Sequence, residues 1–318
     1  MTTSGSSDFN RTRNQIIMRA GRLTGAIRAG ATMKAQDVSD FSEALNAMVK
    51  RWSATPGLHV WTATEATLFP QVDQVRYALG TGSTDHATQT YYATEVTSGT
   101  LSGATSISVD DTTNITALDY IGIVVDDGTL HWSTVASKTS TSVTINDALD
   151  DDASAGAAVF TYTTKIVRPL KIVDAQRYNI ASQIDTSLGD LLARGDYQAL
   201  PNKTQSGTIN QVFYDPQLTL GYLFLWNPPS AITDLIKFTW YRPIQDFDAA
   251  GDNPDLPQEW IDALVYNLAL MMAPEYDTPR DKIDGPFGIG AMAVKYLDDV
   301  AGFDREAESV FFQVDNSP

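Results

Sequence analysis

Apolar side chains at Ile16, Ile17, Ala20, Leu23 and Ile27 recur at helical spacing, which predicts a helix over residues 10–31 with Gly30 as its stop. Arg13, Arg19, Arg22 and Arg28 fall mostly off that stripe. A second stripe, Val38, Phe41, Leu45, Met48, Val49 and Trp52, predicts another helix with Asp37 as its N-cap. Burying those side chains contributes roughly 1.5–3 kcal/mol each before entropy is subtracted. The short link makes the two helices an antiparallel hairpin, ended by Pro56-Gly57.

From Val60 the period changes to that of strands. Val60–Thr67 and Val75–Leu79 alternate around a turn at Pro70–Asp73. β-branched runs at Ser106–Val109, Tyr120–Val125, Leu130–Val135, Val143–Ile145 and Ala158–Tyr162 lie between Gly, Asn and Asp clusters, and Asp126-Asp127-Gly128 suits a hairpin turn. Residues 95–164 are therefore expected to form an inserted small β-sandwich or barrel. Ile166–Ile172 reads as a strand, Ile180–Arg194 is ambiguous, and Val212–Tyr214, Tyr222–Trp226 and Leu235–Tyr241 alternate as strands. Trp260, Ile261, Leu264, Val265, Leu268, Met271 and Met272 mark a helix stopped by Pro274, and Ile289 to about Ala307 marks a last one. Val310, Phe311, Phe312 and Val314 form an apolar, extended tail. The expected class is α+β: a helical-bundle core from the N- and C-terminal helices, antiparallel strands, and the inserted β-domain. The divisions are 1–80 (helical hairpin and first strands), 95–164 (insert), 165–245 (mixed β), 246–308 (C-terminal helices) and 309–318 (tail).

Charge sharpens these divisions. The 318 residues carry a formal charge of −17, with no cysteine. Residues 1–52 hold eight basic and four acidic side chains, 85–163 one basic and eleven acidic, and 246–318 four basic and sixteen acidic. The missing thiols exclude disulfides and cysteine nucleophiles. The acidic total argues against gripping nucleic acid or an anionic membrane. Met1–Asp8 lacks the apolar core of a signal peptide, and no run approaches the roughly 20 apolar residues of a spanning helix. The expected setting is the cytoplasm, or a particle assembled there.

No pattern for chemistry stands out. His59, His86 and His131 have no metal-ligand spacing, and no metal or cofactor is expected. Gly285, Gly288 and Gly290 follow no strand and lack the Gly-Lys-Ser/Thr of a phosphate loop. Asp147, Asp150, Asp151 and Asp152 lack EF-hand spacing and read as a solvated loop. An Asp/Glu pair for glycoside hydrolysis stays open, since carboxylate separation is a three-dimensional quantity. So does carbohydrate stacking on Tyr120, Trp132 and Tyr162, although alternating strand aromatics more often form core. The four arginines are candidates for a subunit interface or phosphate-facing stripe; the bland alternative is a solvated helix face.

The order of several residue groups resembles the head-to-tail adaptor (tail accessory factor, or head-completion) proteins of short-tailed bacteriophages. Lys50-Arg51-Trp52 is followed by Gly57-Leu58-His59-Val60-Trp61-Thr62, Glu65-Ala66-Thr67-Leu68 and Tyr77-Ala78-Leu79-Gly80. Arg168-Pro169-Leu170-Lys171-Ile172, Asp196-Tyr197, Asn202-Lys203, Tyr214-Asp215-Pro216, Leu225-Trp226-Asn227-Pro228-Pro229 and Tyr241-Arg242-Pro243 come next. The densest stretch is Leu256-Pro257-Gln258-Glu259-Trp260, Leu264–Ala269 and Ala273-Pro274-Glu275-Tyr276. The resemblance covers most of 10–80 and 165–313; no single motif is diagnostic. It implies a non-enzymatic virion protein that assembles as a ring, typically of twelve copies, on the portal vertex. Such a ring extends the channel for double-stranded DNA and carries the tail nozzle, fibres or spikes. It also implies that Val310, Phe311, Phe312 and Val314 bind the portal protein, unless the tail folds onto its own subunit.

Overall fold

The computed structural model describes residues 5–55, 58 and 62–303. The chain is α+β, with helices and antiparallel sheets, and divides into two compact units. One joins the two ends of the chain, 1–62 and 243–318; the other is 63–242.

The first unit contains α1 (Arg13–Thr24) and α2 (Ala35–Ser53). After α3 (Arg194–Ala199) of the other unit, it adds α4 (Ile261–Met272), α5 (Arg280–Asp284) and α6 (Ile289–Phe303). The apolar stripes explain why these helices form and where they face. Ile16, Ile17 and Ala20 of α1 share one core with Phe41, Leu45, Met48 and Trp52 of α2 and with Leu264, Val265, Leu268 and Met272 of α4. The Trp52 and Trp260 rings meet at 5.7 Å. The chain re-enters this unit along α2, where Asn46 exchanges hydrogen bonds with the Phe247 backbone at 2.9 and 3.2 Å. Two expected boundaries shift. α1 stops at Thr24 because Gly25 takes the left-handed conformation (φ 88°), five residues before the expected Gly30. The N-cap of α2 is Lys34; Asp37 sits in the first turn, where its carboxylate accepts the Tyr276 hydroxyl at 3.1 Å.

The second unit holds fourteen named strands: β1 (Ala63–Leu68), β2 (Arg76–Leu79), β3 (Ala87–Thr88), β4 (Tyr92–Glu95), β5 (Ser106–Ser108), β6 (Tyr120–Val124), β7 (Leu130–Lys138), β8 (Ser142–Ile145), β9 (Ala158–Tyr162), β10 (Lys171–Asn179), β11 (Ile184–Ser187), β12 (Gln211–Pro216), β13 (Gly221–Trp226) and β14 (Asp234–Tyr241). A five-stranded sheet, β11-β10-β14-β1-β3, packs on a three-stranded sheet, β12-β13-β2. Alternation decides the faces. Ile236, Phe238 and Trp240 of β14 point inward against Tyr77, Leu79, Leu223 and Leu225. The strand expected at Ile166–Ile172 instead begins at Lys171, after Pro169, which lacks an N–H for a ladder. The ambiguous Ile180–Arg194 stretch contributes β11 and the first residue of α3.

Residues 92–162 form the six-stranded sheet β4-β9-β6-β7-β8-β5 around its own core of Ile107, Ile121, Ile123, Val135, Val143 and Val159. Its two edges meet just beyond β4 and β5. Val96 bridges Val109, and Thr97 N–H donates to Ser108 O at 2.9 Å.

Candidate functional site

The four candidate arginines do not share one stripe. Arg13 starts α1 half-buried, its backbone N–H donating to Asp252 O at 2.7 Å and its Nη1 to Asp248 O at 3.3 Å. It ties the re-entering chain to the helix. Arg19 and Arg22 are exposed on α1, and Arg28 lies beyond the helix end. Among the described residues, no ion pair or hydrogen bond reaches the side chains of Arg19, Arg22 or Arg28, whereas Lys50 pairs with Asp246 at 2.8 Å. Arg22 lines an open groove of about 450 Å³ along the outer face of α1, with Phe9, Arg11, Asn14, Gln15 and Met18. Val310, Phe311, Phe312 and Val314 lie outside the described residues.

In the second unit the most densely built cluster is aromatic and joins the six-stranded sheet to the five-stranded one. Phe69, just past β1, is 1% exposed and touches Trp132, Phe160 and Tyr162 at 5.3, 5.3 and 5.9 Å. His86, from the loop between β2 and β3, stacks flat on the Trp132 indole at 3.6 Å and shares a 2.6 Å hydrogen bond between its Nδ1 and the Tyr162 hydroxyl. Gly122 makes room for the indole: a Cβ there would sit 2.8 Å from the ring. Burial, reinforced by the nearby Lys165 charge, pushes the His86 pKa down to about 3, and burial holds the Tyr162 hydroxyl protonated. Lys165 donates to Ser83 O at 2.8 Å and lies 4.9 Å from the Tyr120 ring centre. Tyr162 is thus buried and Trp132 and Tyr120 half-buried, and all three rings meet His86. The arrangement is a neutral packed joint.

The acidic turns of the insert use their carboxylates on themselves. Asp126 accepts from Ser154 N–H and Oγ at 3.0 and 2.9 Å, Asp152 from Ser102 N–H at 2.7 Å, and Asp151 from Asp127 N–H at 3.0 Å. His131 is buried with Nδ1 2.8 Å from Asp150 Oδ1. Among the described residues no group of three or more His, Asp or Glu side chains is placed to hold a metal ion, and no helix is long and apolar enough to cross a membrane. His59 lies outside the described residues. Gly285, Gly288 and Gly290 crowd the backbone around α5: a Cβ on Gly288 would come within 2.5 Å of Ile283 O. These glycines answer a close backbone approach.

Sequence reading missed Phe69 and His86 because each stands alone beside a turn, outside any periodic run. The one available signal was the density of aromatic and β-branched side chains in β6, β7 and β9, which supply the other half of the joint. No protein-family model matches the chain, and no curated protein matches it.

Proposed function

We propose that this chain is a virion structural protein, a head-to-tail adaptor of the short-tailed phage type rather than an enzyme. The observation that carries the reading is the order of residue groups over 10–80 and 165–313. Supporting it, several of those residues sit at packing joints: Trp52 against Trp260, Tyr77 and Leu79 in the inter-sheet core, and Tyr214, whose hydroxyl donates to Pro169 O at 2.6 Å. In this reading the helices built from both chain ends are the bundle that forms a ring, the twelve-copy ring typical of such adaptors, and the six-stranded sheet is the inserted sandwich or barrel. The partners are the portal protein, further copies of the chain, and a tail nozzle or fibre protein. Double-stranded DNA passes through without tight binding, and the particle is a virion assembled in the host cytoplasm.

The test is attachment to purified portal, followed by sizing of the complex. The full chain is expected to co-migrate with portal, and deletion of residues 309–318 is expected to abolish attachment while circular dichroism stays unchanged. Attachment by the truncated chain removes the tail from the interface; no attachment by the full chain contradicts the adaptor reading.

A further inference from the structure

α1 and α6 each turn one stripe into the core of the first unit and carry a second stripe on the opposite side. On α1 the inner stripe is Ile16, Ile17 and Ala20. The outer one, Gln15, Met18 and Arg22, runs along the open groove, and no carboxylate lines that groove. On α6 Ile289 and Ala293 are buried and Leu297 packs against the same core, while Ala291, Val294 (58% exposed) and Asp298 are exposed. Both outer stripes point away from the core that their helices share, so they do not meet within one chain.

The two outer stripes share one spacing, a step of three residues and then of four, over about 10 Å of helix. That is the spacing of a two-helix seam. Laid parallel, the stripes set Ala291 beside Gln15, Val294 on Met18 and Asp298 on Arg22: small against long, apolar on apolar, carboxylate against guanidinium. Laid antiparallel, Asp298 falls beside Gln15 and Arg22 beside Ala291, and no charge is paired. Neither stripe suits its own kind in that register. Two α1 faces would oppose Arg22 to Arg22, and two α6 faces Asp298 to Asp298.

We propose that the outer stripe of α1 takes the α6 of a second copy of the chain, with the two helices parallel. Each copy carries −17, so a contact that sets Arg22 against Asp298 offsets part of the mutual repulsion. The contact joins two different surfaces, so it repeats from copy to copy. The docking stands on the two stripes; that the repeat closes into a ring rests on the adaptor reading.

The chain has no cysteine, so introduced thiols report on a clean background. One full-length chain carries Met18→Cys, and a second, distinguishable by mass, carries Val294→Cys. Mixed at low salt under mild oxidation, they are expected to form the disulfide between copies at least about tenfold faster than Met18→Cys mixed with Leu218→Cys. Leu218 is 94% exposed in the other unit, so chance collision serves that pair at least as well. Arg22→Glu in the first chain is expected to remove the advantage, and Asp298→Arg added to the second chain is expected to restore it. Both substitutions lie at exposed positions, so the fold is kept. Equal rates for the two mixtures, or a rate that Arg22→Glu leaves unchanged, overturn the proposal. The assay contains no portal, so its failure and a failure of portal attachment are separate results.

Discussion

At the scale of single residues, the joint in the second unit shows how a few side chains decide a local environment. Burial of the His86 ring, stacked on Trp132 and bonded to Tyr162, and the nearby Lys165 charge keep it neutral there. Its pKa in the folded chain, about 3, lies below the ordinary value of 6.5, so the unfolded chain binds a proton first on acidification. The stability contributed by neutral His86 is present in full above pH ~6.5 and is lost as the pH falls from there toward ~3, at up to about 1.4 kcal/mol per unit. Urea midpoints followed across that window are expected to fall more steeply for the wild-type chain than for His86→Gln; parallel curves would contradict this account. Neither His86 nor Phe69 could be assigned to a joint from the sequence, because their ring partners are 22 to 93 positions away and no local period marks them.

At the scale of elements, legibility followed length and period. The α4 stripe was readable because Trp260, Ile261, Leu264, Val265, Leu268 and Met272 repeat at helical spacing and are buried as that pattern requires; Met271, counted in the same face, is instead exposed (37%), one position off the buried line. The β6, β7 and β9 runs were readable for the same reason. β3, two residues long, and α5, five residues long, are shorter than any period can mark. The end of α1 was misplaced because Ile27 continues the apolar spacing although it reaches the core through a turn, its N–H donating to Gly21 O at 3.2 Å. α4 touches α1, α2 and α6, so its centre is the most sensitive point of the first unit. Leu264→Ala, at a fully buried position, is expected to cost roughly 2–5 kcal/mol. A shift of the urea midpoint, together with the near-ultraviolet signal of Trp52 and Trp260, reads it out; a loss below about 1 kcal/mol would mean that α4 is not the keystone of that core.

At the scale of the whole molecule, the acidic balance of −17 is distributed rather than uniform. The acids of the insert are consumed in its turns, as Asp126 and Asp152 show, while α1 keeps exposed arginines in Arg19 and Arg22. A conduit for DNA needs surfaces past which phosphates slide, so few cationic contacts should hold them. Filter binding of duplex DNA at physiological salt is expected to stay flat through micromolar protein; saturation with a steep salt dependence would contradict a sliding contact. The proposed ring formation and tail attachment could not be read from periodicity, because they would depend on surfaces that the hydrophobic pattern leaves unspecified. The most direct measurement is electron microscopy of purified portal mixed with the full chain. The account predicts an added ring of density on the portal, continuing its channel; portal particles with no added density would contradict it.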